Sequence, residues 1–587
     1  MKLYTGMTVA VTLPENPTKI EAFAGEELQK YLPKIFSQVT FADDAELTFV
    51  VGEPNEKVTG AEGFAYKIDG NTAYFSGNTT GQLYAVYEFL EREFGCCFGA
   101  FPLPQVPAGE VIPTFGEKEL SDKECFKNDA DVPYRTAKVQ YGSGGDADRV
   151  LTQPFLDYLA KNRYNRILTW MSVYDKMVEL GLIEELEKRG IRLTVGHHQA
   201  LKTFLPFEGN DLFPTPYGKE HPDFFRVLVD GRRQTAEGRK NWGQWYLCSR
   251  NPAGIAEMAK NINWWLDQNP QVDTVTLWPN DGVSRQCQCG YCSKHTKMEN
   301  YLYFCDEVAK LLKEANPERK VNVIVYLDLW DCPKGMVLSD NVEMQVSSWT
   351  KSGLRHCGKP DGSALLKSHV CDTMHAYRNT GCRVVVGEYY MGNYDNKQAV
   401  MPAADEMQSI SRYFKEQKFD GSGTQIEYFN VWNNVFNFYC FARTAYDTEI
   451  TLEQHIAAMS RMFGGGADAV AEILRIYENT LDGQVPISQT GKWFALHVDK
   501  DTIYALFENA FTQAETPLYR NNLRLMRMAF HYTILMQTDT EEAKAELGAL
   551  ATHFDSFKVN DPGYGIAIAT DYRNDRLPAD KWYQFEQ

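Results

Sequence analysis

The sequence predicts an α/β protein: a (β/α)8 barrel of the TIM type, with a small N-terminal α+β domain and a C-terminal helical region. Three observations predict this class. Strand-like and helix-like stretches alternate eight times within residues 130–447, a segment with a hairpin occupies residues 1–115, and only helical periodicity remains over residues 448–587. Eight strand–helix units are the number that suits closure into a barrel.

The first 115 residues have the pattern of a small sheet with helices. Residues 63–77 form two alternating runs around Asp69-Gly70-Asn71. This pattern predicts a hairpin, because such a turn needs residues that tolerate positive φ. Apolar spacing predicts strands over 9–13 and 47–52 and helices over 20–36 and 81–94. A proline-rich linker then separates this domain from the barrel.

The barrel prediction depends on eight short apolar runs, with helical stretches between most of them. We predict these strands over residues 136–141, 166–171, 191–196, 274–278, 321–327, 343–347, 382–387 and 421–427. The alternative is an open, doubly wound sheet, which usually carries a glycine-rich phosphate loop after its first strand. Only Gly142-Ser143-Gly144-Gly145 stands there, and this pattern is too weak to indicate such a loop. The long insert at 199–250 is expected to lie over the barrel mouth.

Composition and charge exclude some classes of partner. With 44% hydrophobic and 24% charged residues, the 587-residue chain has the composition of globular domains rather than of disorder. A net charge of −18 argues against a nucleic-acid partner, which would need a basic face. No stretch approaches the roughly 20 apolar residues of a spanning helix, so we expect no membrane partner.

The N-terminus and the cysteines indicate a cellular location. Residues 1–17 lack an apolar run long enough for a signal peptide. The 13 cysteines, an odd number scattered through a large chain, fit a reducing compartment better than a disulfide framework. We therefore expect a cytoplasmic protein. Whether the tail helices pair with a second copy to form a homo-oligomer is left open.

Three carboxylates follow predicted barrel strands, where catalytic groups of such barrels are found. Asp281 follows strand four, Glu388 strand seven and Glu427 strand eight. A carboxyl group that faces another across an apolar mouth keeps its proton at neutral pH, which suits a general acid. The structural alternatives are a turn-capping aspartate before Gly282 and a strand-end salt bridge for Glu388. We favour catalysis for all three.

Aromatic, imidazole and amide side chains accompany these carboxylates. Sugar rings have apolar faces that stack on flat side chains, while their hydroxyls need polar partners. His197 and His198 are equally compatible with a structural role, and aromatic residues after strand eight also suit helix packing. The predicted substrate-binding residues are Tyr141, Trp170, His197, His198, Asn280, Trp349, Tyr389, Tyr390, Asn430 and Trp432.

A cysteine-rich segment follows the fourth strand. Cys287, Cys289, Cys292 and His295 place four zinc-type ligands within nine residues. The spacing is not that of the usual paired zinc knuckle, so a loop of reduced thiols and a three-ligand site with a distant fourth ligand are alternatives. We predict a structural zinc site that fixes the loop carrying Asp281. We expect no cofactor to be required for catalysis, because thiolate ligands leave zinc little Lewis acidity.

Two segments resemble known families. Residues 62–98 resemble the small N-terminal domain that precedes the barrel in α-glucuronidases of glycoside hydrolase family 67 and hexosaminidases of family 20. Residues 278–292 resemble the signature of the bacterial domain-of-unknown-function 4838 proteins. Together with the domain order, the resemblance covers roughly residues 1–440 and does not extend to the helical tail.

The resemblance implies glycoside hydrolysis of an exo-acting kind, with a carbohydrate substrate. Retaining barrel glycosidases place the acid–base carboxylate after strand four and the nucleophile after strand seven, which are the positions of Asp281 and Glu388. Family 67 enzymes invert, and Glu388 with Glu427 would then be the pair that acts as base. Family 20 carries an Asp-Glu pair after strand four, whereas this chain has Asn280-Asp281, which puts that mechanism in doubt.

Two other hypotheses remain at this point. One is a non-catalytic glycan-binding barrel that keeps the fold without the chemistry. The other is a barrel enzyme of a different class, such as a lyase or a zinc-dependent hydrolase. The sequence does not identify the sugar, its anomeric configuration or the stereochemical outcome, which depends on the distance between the two carboxyl groups.

Overall fold

The computed structural model describes most of the chain. The described residues are 1–101, 108–139, 151–234, 246–279, 285–326, 329–347, 364–391, 399–426, 432–480, 485, 490–538, 540–543, 545–546 and 585–586.

The N-terminal unit is a mixed six-stranded sheet with two helices packed against it. The strand order is β3-β2-β4-β6-β5-β8, and a separate two-stranded sheet joins β1 to β7. The strands are Lys2–Tyr4 (β1), Thr8–Thr12 (β2), Thr40–Phe41 (β3), Leu47–Val51 (β4), Phe64–Asp69 (β5), Thr72–Gly77 (β6), Glu117–Glu119 (β7) and Lys123–Lys127 (β8). The predicted hairpin is the β5–β6 pair, in which Asp69 lies opposite Thr72.

The N-terminal sheets extend past residue 115, where the sequence predicts that the first domain ends. Strand β8 pairs antiparallel with β5, and β7 pairs with β1. Both late strands are short, β7 is wholly charged, and three of the five residues of β8 are charged. The apolar pattern does not show them, because they lie at sheet edges where a side chain gains little from being hydrophobic.

The second unit is a closed barrel of eight parallel strands, as predicted. The order around the barrel follows the chain, and the eighth strand closes onto the first. The strands are Tyr134–Val139 (β9), Arg166–Trp170 (β10), Arg192–Gly196 (β11), Val272–Thr276 (β12), Lys320–Val325 (β13), Val342–Ser347 (β14), Arg383–Met391 (β15) and Gly421–Ile426 (β16).

Seventeen α-helices cover the sheets or form the C-terminal region within the described residues. Their bounds are Lys19–Ile35, Gly81–Phe94, Gln153–Lys161, Met171–Glu179, Leu182–Lys188, Ala200–Phe204, Tyr217–Glu220, Pro252–Gln268, Lys297–Ala315, Ala364–Arg378, Ala404–Gln417, Val435–Tyr446, Leu452–Ser460, Ala467–Thr480, Thr490–His497, Lys500–Gln513 and Pro517–Met536. Single 3-10 turns span Pro222–Phe224, Cys292–Lys294 and Arg461–Gly466. Among the residues described, none of these helices has the length and apolar character needed to cross a membrane.

Local sequence explains where several helices begin. Thr296 precedes the helix Lys297–Ala315, and its hydroxyl accepts a hydrogen bond from the backbone N–H of Glu299 at 3.2 Å. The Glu299 carboxylate in turn accepts one from the backbone N–H of Thr296 at 2.7 Å. This reciprocal capping satisfies two N–H groups that a helix start would otherwise leave without partners. The same box opens the helices at Lys19 and Leu452.

The barrel strands separate an outer apolar face from a mixed inner face. On β14, Val342, Met344 and Val346 belong to the main hydrophobic core, which lies between the strands and the helices. The alternating residue Glu343 faces inward, where its carboxylate contacts Arg166 of β10 at 2.7 Å. Because side chains alternate along a strand, every second residue of each strand lines the interior. This alternation decides which residues reach the mouth.

Candidate active site at the mouth of the barrel

Seven inward-facing side chains meet at the carboxyl ends of the barrel strands. They come from strands β9, β10, β14 and β15 and from the residues that directly follow β11 and β12. We call this set the mouth cluster, and it consists of Lys138, Trp170, His197, His198, Trp278, Ser347 and Tyr389. Catalytic and binding groups of (β/α)8 enzymes gather at this end of the barrel.

The centre of the mouth cluster is a stack of rings. The ring of His197 lies parallel to that of Trp170, with centroids 4.1 Å apart, and 4.6 Å from the ring of Trp278. His198 meets His197 edge-on at 4.4 Å and also lies against both tryptophans, at 5.8 and 5.5 Å. The imidazole of His197 is therefore held between two indoles. Such packing leaves the imidazole of His197 and the two indoles little freedom of rotation.

His197 is buried, and its backbone has a positive φ of 50°, a conformation that non-glycine residues rarely adopt. Its carbonyl accepts a hydrogen bond from the hydroxyl of Thr276 at 3.2 Å, which helps to hold this geometry. Within the described part of the chain, neither ring nitrogen of His197 has a hydrogen-bond partner. Strained backbone and unsatisfied buried nitrogens are both features that functional sites accumulate.

The charge of His197 follows from its surroundings. Burial holds the pKa of His197 well below its usual value, and the nearby His198 and Lys138 lower that pKa further. The ring is therefore neutral at neutral pH. A neutral imidazole donates a hydrogen bond through one nitrogen and accepts one through the other, which matches the two-way hydrogen bonding of a sugar hydroxyl.

Lys138 brings a positive charge to the mouth, beside Trp278 and Tyr389. Its ammonium group lies 5.0 Å from the ring centre of Trp278 and 5.8 Å from that of Tyr389. The hydroxyl of Tyr389 lies within hydrogen-bonding distance of the Ser347 hydroxyl, at 2.9 Å. Both ring distances are within the range of cation–π attraction. The mouth thus offers both flat apolar faces and a cation.

A polar chain supports the mouth cluster from below. The indole N–H of Trp278 donates to the side-chain oxygen of Asn322 at 2.7 Å. The amide of Asn322 donates to Glu343, also at 2.7 Å, and Glu343 pairs with Arg166. Because every donor and acceptor in this chain is buried, its hydrogen bonds specify one position for the Trp278 ring. The chain is not visible in the sequence, since its members lie on four different strands or strand ends.

Glu388 lies buried near the end of β15, and its backbone pairs with Thr424 of β16. The neighbouring Gly387 faces inward, because a Cβ placed there would meet the side chain of Gln345 at 2.6 Å. Tyr389 also faces inward, toward Ser347. Regular alternation would turn Glu388 to the outer face, but the strand register shifts between Glu388 and Met391. A bulge of this kind re-aims side chains locally.

Two predicted binding residues lie away from the mouth cluster. The Tyr390 hydroxyl donates to Glu406 of the helical layer at 3.3 Å, and its ring packs on Phe441. Trp432 is buried beside Met401 and Tyr477, in a small cavity against the C-terminal helices. We therefore correct the prediction that Tyr390 binds substrate, since its side chain faces the outside of the barrel. The described contacts of Trp432 likewise join it to the helical tail.

Six predicted site residues fall outside the described part of the chain. They are Tyr141, Asn280, Asp281, Trp349, Glu427 and Asn430. Their roles stay predictions. The described residues Trp170, His197, His198 and Tyr389 are brought together as predicted, and Glu388 lies next to Tyr389 in the same strand.

Prediction from strand ends misses Lys138, Trp278 and Ser347. That rule selects residues at the predicted strand ends, whereas Lys138 and Ser347 come from the last inward position of their strands and Trp278 lies two residues past the end of β12. One signal for Lys138 is present in the sequence: a lysine inside the otherwise buried strand Tyr134–Val139. Lysine is almost never fully buried without a partner, so its presence there calls for a function or a buried network.

Four cysteines form a second candidate site beside the barrel. The sulfur atoms of Cys248, Cys287, Cys289 and Cys292 lie within 4.8 Å of one another, and this group could hold a metal ion. The prediction that His295 is the fourth ligand is wrong. The His295 side chain is 39% exposed and lies 4.0 Å from Glu299 on the next helix. Cys248, from the end of the insert, takes its place because folding brings the insert against this loop.

The remaining cysteines show little cross-linking. Eleven cysteines of the described chain are free, including those of the four-cysteine group, and Cys371 is disulfide-bonded. One disulfide-bonded cysteine among the described residues does not make a disulfide framework.

Solved glycoside hydrolases share this fold. A GH138 enzyme targeting pectin rhamnogalacturonan II aligns with a TM-score of 0.58 at 13% identity, covering 93% of this chain and 71% of that one. A family 89 glycoside hydrolase from Clostridium perfringens, in complex with PUGNAc, aligns with a TM-score of 0.55 at 11% identity, covering 90% of this chain and 65% of that one. At such low identity, the likeness shows a common fold.

Sequence comparison identifies the family. No curated protein sequence matches the chain. The family model described as "Domain of unknown function (DUF4838)" matches residues 108–478, which is more than half of the chain and spans the whole barrel. This match confirms the resemblance of residues 278–292. The chain belongs to the DUF4838 family and has the barrel fold found in glycoside hydrolases.

Proposed function

We propose that this protein is a glycoside hydrolase that removes a terminal sugar or sugar acid by carboxylate acid–base catalysis. The observation that carries the proposal is His197: a neutral, buried imidazole between two indole rings, whose two nitrogens have no hydrogen-bond partner among the described residues. It lies at the catalytic end of a barrel whose fold is shared with glycoside hydrolases.

The mouth cluster suits a sugar for simple chemical reasons. A pyranose ring stacks its C–H face on an aromatic ring, and the half-buried Trp170 provides such a face. His197 and Ser347 provide hydrogen bonds for hydroxyl groups. Lys138 adds a charge that would bind the carboxylate of a sugar acid. Ligand sites with mainly apolar walls and a few aimed polar groups orient their ligands well.

Three carboxylates supply the chemistry in this proposal. Asp281 donates its proton to the glycosidic oxygen as the bond to the anomeric carbon breaks. In the retaining form, Glu388 attacks that carbon as a nucleophile, and water deprotonated by the Asp281 carboxylate then hydrolyses the bond between the sugar and Glu388. In the inverting form, Glu388 together with Glu427 removes a proton from the water that attacks the carbon. A carboxyl separation of about 5 Å gives retention through a covalent intermediate, and about 6.5–9.5 Å leaves room for water and gives inversion. We propose exo-action because the long insert, residues 199–250, begins directly after His198 of the mouth cluster.

Several accompanying properties stay part of the proposal. We propose a carbohydrate substrate, no nucleic-acid or membrane partner, and a cytoplasmic location. A homo-oligomer formed through the C-terminal helices is compatible with the proposal but not required by it. The metal site at the four cysteines takes no part in the proposed bond cleavage, because four thiolates fill a tetrahedral coordination sphere and leave no position for substrate.

A substrate panel with matched variants tests this function. We would measure hydrolysis of aryl glycosides and aryl uronides by the wild type and by Asp281→Asn, Glu388→Gln and Glu427→Gln. Loss of a general acid, base or nucleophile should lower kcat/KM by about 10²–10⁴-fold without unfolding the protein. Glu314→Gln, on an exposed position of an outer helix, is the control and should leave turnover unchanged.

The alternative is a barrel that binds glycans without cleaving them. The observation that favours it is that Gly387 and Tyr389, on either side of Glu388, both face inward. This alternative predicts saturable sugar binding, weakened by Trp170→Ala, with no turnover on the whole panel. Undiminished turnover in all three carboxylate variants would contradict the proposed mechanism, and absence of any turnover would favour the binding protein.

A further inference from the structure

The four-cysteine group has the dimensions of a tetrahedral metal site. The sulfur of Cys248 lies 3.7 Å from that of Cys289 and 3.9 Å from that of Cys292. Zinc binds thiolate sulfur at about 2.3 Å, so the corners of a tetrahedral zinc–thiolate site are separated by about 3.8 Å. Bonded disulfide sulfurs lie only about 2.05 Å apart, and these cysteines are free. The spacing is therefore that of sulfurs arranged around one ion.

Backbone N–H groups point at these sulfurs. Cys287 accepts hydrogen bonds from the N–H groups of Val227 at 3.2 Å and of Cys289 at 3.4 Å. Cys289 accepts one from the N–H of Cys292 at 3.4 Å. Donors aimed at sulfur stabilise the negative thiolate, which is the form that binds metal. This observation is independent of the sulfur spacing and also indicates a ligand.

The cluster joins two segments that are distant in sequence. Cys248 and Val227 belong to the insert after the third barrel strand, and Cys287 to Cys292 belong to the loop after the fourth. The backbone N–H of Gln288 donates to the carbonyl of Val227 at 2.8 Å. Within the described residues, the cluster forms a separate small core with Val227 packed against it.

We propose that Cys248, Cys287, Cys289 and Cys292 bind one zinc ion, which fastens the insert to the loop after the fourth barrel strand. Four sulfur ligands in a tetrahedron suit zinc, and a closed site with four protein ligands is structural. The fastened loop continues from residues 280–281, where the proposed acid lies. The ion therefore connects the two segments that follow the third and fourth barrel strands, and it takes no part in the reaction.

Metal analysis of the whole chain tests the ligand set. We would purify the protein with a reducing agent, strip it with a chelator, reload it with zinc and measure bound metal by mass spectrometry. The wild type should bind one zinc ion per chain, and Cys248→Ser should lose at least tenfold in affinity. His295→Ala tests the neighbouring histidine and should bind as the wild type does. Cys332→Ser, which removes a half-buried thiol elsewhere, is the matched cysteine control.

Three results would overturn the assignment. They are no zinc uptake by the reduced wild type, zinc retention by Cys248→Ser with loss in His295→Ala, and iron as the metal that co-purifies. Cobalt replacement gives a second readout, because cobalt bound to four thiolates absorbs visible light strongly and the spectrum should change in Cys248→Ser.

Hydrogen exchange tests whether the metal ion stabilises the contact between the insert and the loop after the fourth barrel strand. In the wild type, chelation should speed exchange over residues 225–234 and 285–292 at least tenfold, while the barrel strands keep their protection. Equal exchange with and without metal would show that the ion does not fasten the insert. This comparison uses one protein and does not depend on whether a cysteine variant folds. Neither measurement needs turnover, so the zinc site and the proposed hydrolysis can fail separately.

Discussion

Burial sets the protonation of two side chains in the C-terminal region, and it acts in opposite directions. Burial lowers the pKa of His455 to about 3, with a smaller contribution from the charge of Arg443. Burial raises the pKa of Glu478 to about 7, although backbone N–H groups of Asp405 and Ala404 partly oppose the shift. Both effects have one cause, because a buried site disfavours the charged form of either group.

His455 should make the protein less stable in mild acid. Between pH 6.5 and about 3, the unfolded chain binds a proton at this residue that the folded chain does not bind. The free energy of unfolding should therefore fall as pH drops, by up to about 1.4 kcal/mol per pH unit. Between about pH 7 and about pH 5, the free energy of unfolding of His455→Gln should fall by roughly 2 kcal/mol less than that of the wild type. Urea unfolding at both pH values measures this difference.

Glu478 provides the comparison of opposite sign. Its folded pKa of about 7 lies above the ordinary value of 4.5, so the folded chain binds the extra proton in that window. This carboxyl therefore adds stability as pH falls from about 7 and weakens the fold as pH rises. Glu478→Gln should remove the gain in the free energy of unfolding that this carboxyl gives as pH falls. His455→Gln should instead remove a loss in that free energy as pH falls. If the free energy of unfolding changed with pH in the same way in both variants, the burial argument would be contradicted.

At the scale of elements, the barrel strands are tied together by a buried ion pair as well as by backbone hydrogen bonds. Arg166 on β10 and Glu343 on β14 are almost completely buried and lie 2.7 Å apart across the interior. Burial tends to lower the pKa of Arg166, but Glu343 outweighs this effect, and the net shift is upward. Asn322 supplies a second partner to Glu343 and connects it to Trp278.

Removing one partner of this pair should be costly. Arg166→Met leaves the carboxylate of Glu343 buried without its counter-charge, which typically destabilises a protein by about 3–5 kcal/mol. Adding Glu343→Gln removes the uncompensated charge and should restore part of the loss. Urea midpoints of the two single variants and the double variant measure this, with the exposed Arg475→Met as control. Additive losses would show that the two residues do not act as a pair.

At the scale of the whole molecule, a charged and largely buried interface joins the N-terminal unit to the barrel. Glu88 and Glu91 lie on the helix Gly81–Phe94 of the first unit. Arg163 lies 2.8 Å from Glu88, and Arg443 lies 2.5 Å from Glu91. Burial alone would raise the pKa of Glu88, but Arg163 and Arg92 lower it to about 2. The two units therefore hold opposite charges in contact away from water.

Glu88→Gln should loosen this interface. Arg163 is buried, so its charge would remain without its carboxylate partner in the variant. This loss should lower the free energy of unfolding by about 3 kcal/mol and lower the thermal midpoint. Glu472→Gln, which removes an exposed pair with Arg475, should cost less than about 1 kcal/mol. Differential scanning calorimetry would compare both variants with the wild type. Equal midpoints for the two variants would contradict a stabilising interface.

The barrel and most of its strand positions were predictable because they depend on local patterns. Apolar runs with a regular spacing predict the eight strands, and the structure places each within a few residues of its predicted position. The rule that functional groups follow parallel strands also predicted Trp170, His197, His198 and Tyr389, which meet at the mouth. Edge strands β7 and β8 were not predictable in this way, since charged edges carry no apolar signal.

The sequence by itself therefore determined the fold class, the family and the end of the barrel at which the chemistry is proposed. Only the tertiary structure decided that Cys248 replaces His295, that Tyr390 faces the helices and that Lys138 and Trp278 line the mouth. The physical reason is range. Periodicity and strand ends are properties of neighbouring residues, whereas a ligand set or a ring stack depends on which distant segments the closed barrel and its insert bring into contact.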